Sequence, residues 1–495
     1  MPCPAPSTRG ATNDTKASEV PCSPPTSLAR LSPSHATYSH FRTHHLLPNL
    51  PCLFPPSYTQ AWPVFHRWVT ENGALALAAL EREYGREETG GSVIECVGKE
   101  GGEDEGQGKD LDEDEKDLHC FEDLIDLWMR GRGRRKYLKD WHLPLLVHRS
   151  AYSPPSTATP SSSSSPASHT FAPDPSALAA GRLKVAEELY TVPPCWLDDW
   201  MNEHEGDERE GRRKGDDFRF VYAGGGETWT GLHRDVYCSY SISTNLYGRK
   251  RWYLFPPDLT PLLRPLIASA EREERPGGVN PDAWREEDKR DWVRKGMLVV
   301  EQEQGETIFL PSGWYHSTHN LTHPTLSLNH NWLNAHCLPA VYSSLCNEVE
   351  RARDAIADVR ELLREQARRN GTGQGDEVWK GEWEAGVDGL VERSEGWSFP
   401  TFFRMTLHTL RNVAVPFSLI KERAAYSRWP AISPEYRPPS TYVVAQVRPI
   451  MEDFRRRREQ EWKWLPGLKE VVEGIEAELQ RIEKIERGEA AGPSL

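Results

Sequence analysis

The chain has 495 residues, enough for one large domain or two to three ordinary ones. It is 37% hydrophobic and 27% charged, with 18 Trp, 39 Pro and 37 Gly, so a real core is diluted by polar segments. A net charge of −14 argues against a generic nucleic-acid binder, and no stretch reaches the roughly 18–20 apolar residues of a membrane span.

Residues 1 to about 45 are rich in Pro, Ser and Thr with little periodicity and are expected to be disordered. The start, MPCPAPSTRGATND, has no apolar core of a secretory signal. The nine cysteines form no C-x-x-C pair, which reads as reduced thiols. Together these point to the cytoplasm, with the nucleus as second choice.

Residues 46–200 read as an N-terminal flanking region. Pro51–Phe54 is apolar, the spacing predicts a helix over Trp62–Leu80 burying Trp68, Leu75 and Leu80, and Ser92–Val97 is a short strand candidate. Four polar segments interrupt the ordered parts. Gly98–Lys116 is acidic, Ser153–Pro175 is a Ser/Pro/Thr tract, Glu203–Asp217 has mixed charge, and Ala268–Lys295 is charged with helical potential. None has the apolar content to fold alone, so surface loops are expected; docking or phosphorylation sites are the alternative.

From Phe218 to Asn334 the texture changes. Short β-rich runs follow one another: Phe218–Ala223, Tyr240–Tyr247, Lys250–Phe255, Met297–Glu301, Thr307–Leu310, Tyr315–Asn320 and Thr325–Trp332. Gly/Pro turns separate them. Many short strands with such turns predict a mostly β core, a sandwich or barrel-like jelly roll. From Pro339 to residue 495 the period becomes helical. Ala352, Ile356, Val359, Leu363 and Ala367 form one stripe in Arg351–Arg369; Leu468, Val472, Ile475, Leu479 and Ile482 form another. Packing on the domain's own surface is the first reading, and a homodimer through these helices the second.

His233-Arg-Asp235 lies between a Gly-rich turn and the strand from Tyr240. With 17 His and 74 acidic residues, chance gives roughly two to three H-x-[D/E] triplets, so the triplet alone is weak. On an extended strand, however, residues two apart share a face, and an imidazole and a carboxylate there can ligate one ion. A second His is the third ligand that iron(II) favours. His316, presented by the turn Pro311–Tyr315, is the best candidate; His319, His323, His330 and His336 compete. His319 would face away from His316, and His330 would face away if Asn329 and Asn331 face the pocket.

A 2-oxo acid bound to such an ion leaves its far carboxylate in need of a buried cation. Lys250 can supply it, though Arg249 and Arg251 flank it and charge alone does not separate the three. Thr230 adds a hydroxyl, and Asn329 and Asn331 are amides able to bond the cosubstrate or a substrate carbonyl.

Several motifs carry a resemblance. Tyr222-Ala-Gly224, Trp229–Asp235, Gly248–Trp252, Leu254–Pro257, Gly305-Glu306, Pro311–His316 and Asn320-Leu321 resemble the small jumonji-C hydroxylases. Ser327–Trp332 and Tyr137–Leu143 resemble the branch that hydroxylates a lysine of the eukaryotic translation termination (release) factor. The resemblance covers roughly Leu46–Asn334. It implies a double-stranded β-helix, Fe(II) on His233, Asp235 and His316, and 2-oxoglutarate on Lys250, with Thr230 and Asn329 as secondary contacts. It also implies O2 as co-reactant, a protein substrate, and lysyl carbon hydroxylation giving succinate and CO2. N-methyl-lysine demethylation and an inactive jelly-roll binding protein are the alternatives. In several relatives a Tyr from an earlier strand or helix also bonds the cosubstrate; the stretch His119–Trp128 holds none.

Overall fold

Alternating apolar and polar positions between Phe218 and Trp332 build two facing antiparallel sheets. The computed structural model describes residues 27–85, 93–95, 120–144, 189–205, 218–369, 375–415 and 432–489. Its strands in chain order are β1 (Ala29–Arg30), β2 (Cys52–Phe54), β3 (Val93–Glu95), β4 (Lys136–Trp141), β5 (Arg219–Gly224) and β6 (Trp229–Arg234). They continue with β7 (Tyr240–Tyr247), β8 (Lys250–Phe255), β9 (Leu298–Gln302), β10 (Thr307–Leu310), β11 (Tyr315–Asn320) and β12 (Thr325–Trp332).

The large sheet runs β1-β2-β10-β7-β12-β5-β4-β3 and the small sheet β6-β11-β8-β9. Every pairing is antiparallel except β1 with β2. The predicted jelly roll is the fold found. Trp252, Leu254 and Leu298 from the small sheet meet Leu53, Ile308 and Leu310 from the large one, closing one end of the space between them. The other face of the large sheet carries Val221, Ala223, Ile242, Leu328 and Trp332 into the main core, which the flanking helices cover.

The sequence pattern misjudges two segments expected to be disordered or loop-like. Residues 29–45, inside the expected disordered stretch, form β1, a helical turn over Tyr38–Phe41 and most of a wider turn over Arg42–Leu46. Leu31, Tyr38 and Phe41 anchor them in the core, too few and too irregularly spaced to show a period. Residues 1–26 lie outside the described residues, as do the expected insertions 98–116 and 153–175 and residues 206–217 of the mixed-charge segment.

Within the expected surface loop 268–295, the helix Thr260–Arg272 ends and a second helix spans Glu286–Lys295. Ala270, Val279, Trp284 and Trp292 cover Leu232, Tyr253, Phe255 and Tyr315 on the outer face of the small sheet. Trp284 and Trp292 stack at 5.6 Å, with the Phe255 ring edge-on to both. The segment lacks apolar residues to fold alone but has enough to fold against a sheet. The helix predicted over Trp62–Leu80 is two helices, Pro63–Trp68 and Leu77–Tyr84, with Trp68 and Leu80 buried as expected.

In the tail, the Leu468–Ile482 stripe is fully buried within the chain. Its helix, Leu468–Glu486, packs on the helices Phe399–Val413 and Ser440–Arg456. The helix over Arg351–Arg369 breaks at Ile356, which turns Val359 to solvent at 39% exposure. No helix among the described residues is long and apolar enough to cross a membrane.

Candidate metal and cosubstrate site

His233 near the end of β6 and His316 near the start of β11 are directly paired across the small sheet. Paired residues share a face, so both imidazoles enter the space between the sheets, with ring centroids 4.3 Å apart. Asp235 follows β6 directly, and its Oδ2 is 3.9 Å from His316 Nε2. One donor atom from each of the three lies within 4.8 Å of the others.

The hydrogen bonds around this cluster orient it. His233 Nδ1 donates to the Gly231 carbonyl at 2.8 Å and His316 Nδ1 to that of Trp314 at 3.4 Å, leaving each Nε2 lone pair for an ion. Asn331 Nδ2 donates to Asp235 Oδ1 at 3.0 Å, which leaves Oδ2 for the same ion. Burial, reinforced by the neighbouring His233, pulls the His316 imidazole down to about 4, so at neutral pH it is an uncharged ligand. Two imidazoles and a carboxylate on one side of an ion, with the other side open, are the donor set of a facial iron(II) site.

The competing histidines have other roles. His319 points to the outer face, stacked on Trp229 at 6.2 Å with its Nδ1 3.9 Å from Asp282. His330 points into the main core, where its ring nitrogens meet Asp199 at 2.9 Å and Tyr190 at 3.3 Å. His336 bonds Tyr442, and His323 sits in the turn before β12.

Lys250 is separated from its neighbours by the pleat of β8. Arg251 faces outward onto Glu301 and Asp282, and Arg249 is near Glu301 and Glu303. Lys250 faces inward at 2% exposure, its Nζ 2.6 Å from Ser327 Oγ. Its strand position is four residues from Leu254, which pairs with His316. At about 3.3 Å per residue that is about 13 Å, a span that a lysine stem and a short dicarboxylate fill together. Burial, then the charge of Lys139, draws the ammonium down to about 7. Between the two ends, Thr318 Oγ1 and Asn320 Oδ1 are buried with no hydrogen-bond partner among the described residues. The Thr318 hydroxyl is a donor that a chelated oxo acid reaching toward Lys250 can accept from, whereas the Asn320 oxygen needs a donor that such an anion does not carry.

Residues 38–336 match the family described as the cupin-like domain. The chain belongs to this cupin-like, jumonji-C family. It is 30% identical over 344 residues to the 2-oxoglutarate and iron-dependent oxygenase JMJD4 of Homo sapiens, covering 67% of each chain. With its Mus musculus counterpart the identity is 28% over 342 residues, 67% of this chain and 66% of the relative. The arginine-specific demethylase JMJ20 of Arabidopsis thaliana is 29% identical over 351 residues, 68% of this chain and 63% of that one. The chain thus spans about two thirds of the length of these relatives.

Fe(II) and 2-oxoglutarate, the cofactors of the jumonji-C oxygenases, are the pair that these residues fit. Thr230 reaches the site through a β-bulge. His316 pairs with His233 and Thr318 with Thr230, so Gly231 and Leu232 together oppose Ser317. The extra residue turns Thr230 and His233, three apart in sequence, to the same face. Asn329 and Asn331 also share the inner face, but differ in use. Asn331 holds the ligand carboxylate rather than standing free for a cosubstrate, and Asn329 Oδ1 accepts from Ser243 at 2.8 Å.

Tyr137 and Lys139 on β4 belong to this jumonji-C pocket; in the sequence they stand in the Tyr137–Leu143 motif without an assigned role. Tyr137 is buried beneath Gly224, where an added Cβ would meet its Cδ2 at 2.7 Å and Asn320 Nδ2 at 2.6 Å. Lys139 Nζ lies 4.9 Å from the centre of the Tyr137 ring. The stretch ending at Trp128 is a helix one element before β4; the alternation of Lys136–Trp141 is the sequence signal that points to the tyrosine.

Two expected outcomes follow from this geometry. At pH above about 7 the buried Lys250 is neutral, so binding a dicarboxylate must take up a proton. The apparent Kd for 2-oxoglutarate is therefore constant below that point and rises above it, approaching about tenfold per pH unit; calorimetry in two buffers reads both the slope and the proton. Gly231→Ala would put a Cβ 1.9 Å from the Gly277 carbonyl oxygen, on the loop whose Val279 carbonyl accepts from Leu232 N at 2.8 Å. The cost is about 1–3 kcal/mol of overpacking, read as a lower Tm. Iron affinity should fall with it, because Gly231 also orients His233.

Proposed function

We propose that this chain is a Fe(II)- and 2-oxoglutarate-dependent protein hydroxylase that modifies a lysine carbon of the eukaryotic translation termination factor. The observation that carries the reading is the convergence, between two sheets, of an iron(II) donor set and a buried lysine facing it. When bound, iron and 2-oxoglutarate supply the oxidation: O2 gives one oxygen atom to a substrate C–H bond and one to succinate, with release of CO2. The protein's share is positional. His233, Asp235 and His316 hold the ion from one side, Asn331 fixes the carboxylate, and Lys250 with Thr230, Thr318 and Tyr137 seats the dicarboxylate. The apolar wall of Trp252 and Leu254 keeps water away.

The test is full-length protein with iron(II), 2-oxoglutarate and the termination factor. Succinate formation with a gain of one oxygen on a lysine is expected; no mass change on that substrate would sink the assignment. A second reading, removal of an N-methyl group by the same chemistry, draws on the 29% identity to the arginine-specific demethylase. Loss of a methyl in the same spectra would select it. An inactive binding protein of this fold would have no use for a complete donor set. The hydroxylase reading places the chain in the cytoplasm, where termination occurs, with the nucleus second. A homodimer through the tail would use the helix Ala357–Arg369, which exposes Val359 and Leu362.

A further inference from the structure

We infer that Asp140 is the residue that recognises a cationic side chain of the peptide substrate at the mouth of the iron site. The inference rests on the protein-hydroxylase reading and names its substrate class.

β4 is irregular where it passes the site. Leu138 pairs with Ala223 and Trp141 with Val221, so Lys139 and Asp140 together oppose Tyr222. Asp140 accommodates the extra residue with φ of 54°, a left-handed conformation that Asp tolerates better than most side chains. Leu138 and Trp141 remain in the main core. The bulge leaves Asp140 exposed at the rim, on the same wall as two half-buried aromatic residues of β5, Phe220 and Tyr222.

That wall borders the cosubstrate side of the space between the sheets, where Ser327 bonds Lys250. Phe220 pairs with Asn329 and Tyr222 with Ser327 on β12, the strand whose Asn331 holds Asp235. The Tyr222 hydroxyl donates to Asp140 Oδ1 at 2.5 Å, and the charges of Asp140 and Asp235 both act on it. Asp140 Oδ2 has no bond among the described residues. The His142 and Phe220 rings are 4.7 Å apart, and Phe220 and Tyr222 6.3 Å. A lysine or arginine stem can lie along these rings with its cation on Asp140. Lys139 does not compete for this role, because its ammonium lies over Tyr137.

The experiment uses the full chain loaded with manganese(II) and 2-oxoglutarate, without oxygen, so that binding is read apart from turnover. Three peptide libraries, degenerate around a fixed Lys, Arg or norleucine, are compared by retention. Wild type should prefer a cationic library over norleucine by about tenfold or more, and the better of Lys and Arg identifies the cation. Asp140→Asn, which keeps the Tyr222 bond and the backbone conformation, should lose the preference. Asp140→Glu should keep part of it at some cost in Tm, because Glu tolerates the left-handed backbone less well than Asp or Asn; Asp140→Asn should leave Tm and 2-oxoglutarate affinity unchanged. Equal retention of all three libraries by wild type, or an undiminished preference in Asp140→Asn, overturns the inference. The hydroxylase reading stands or falls separately, on the mass gained by a turned-over substrate.

Discussion

His233→Ala is expected to remove iron binding and reduce succinate formation to background, a loss of about three orders of magnitude or more. His233 supplies one of the three donors that lie within 4.8 Å of one another. With two left, a site built on one carboxylate and one imidazole has little hold on iron(II), and the open positions that a chelating cosubstrate needs lose their fixed arrangement. His319→Ala is the control: its ring lies on the opposite face of β11, against Trp229 and Asp282, so iron binding should survive. Titrating iron(II) into each variant separates them. Equal turnover by wild type and His233→Ala would end the oxygenase reading.

Lys250→Ala should leave iron binding intact and weaken 2-oxoglutarate by about two orders of magnitude. Removing one partner of a buried charge pair costs about 2–5 kcal/mol, mostly because the other charge is left unpaired. Lys250 is at 2% exposure, and Ser327 Oγ, its hydrogen-bond partner, carries no charge to replace it. The same variant should melt higher than wild type when no cosubstrate is present. The sign follows from the lowered ammonium. A lysine drawn from 10.5 down to about 7 binds protons less well folded than unfolded. Its burial therefore costs most stability below pH 7, and the cost fades as pH rises toward 10.5. The stabilisation by Lys250→Ala should shrink along that path. A lower Tm at pH 6 would show that Lys250 serves the fold rather than the ligand.

The three metal donors were legible because strand alternation and one Pro/Gly turn suffice to aim them. Lys250 was legible only by analogy, since Arg249-Lys-Arg251 is uniform in charge and the pleat that buries the middle residue is not written in composition. Thr230 was named as a contact, but on a regular strand its spacing from His233 would have turned it away; the bulge opposite Ser317 that reconciles them has no sequence mark. Asp140 and Tyr137 were hidden for a related reason. Their strand is irregular, and its pairing with β5 joins residues some 80 positions apart. The charged segment before β9 has the composition of a loop because its few apolar residues find their partners on the small sheet.

The metal donors come from one sheet, but the amide that steadies Asp235 comes from the other. An ion held by His233, His316 and Asp235 is thus a rivet through both walls of the sandwich. Parting of the walls would draw the carboxylate away from the imidazoles. Loading the ion should accordingly slow amide exchange in β12, far along the chain from His233, as well as in β6 and β11. The ion then has a mechanical duty, clamping the sandwich shut, that is independent of any oxidation it supports.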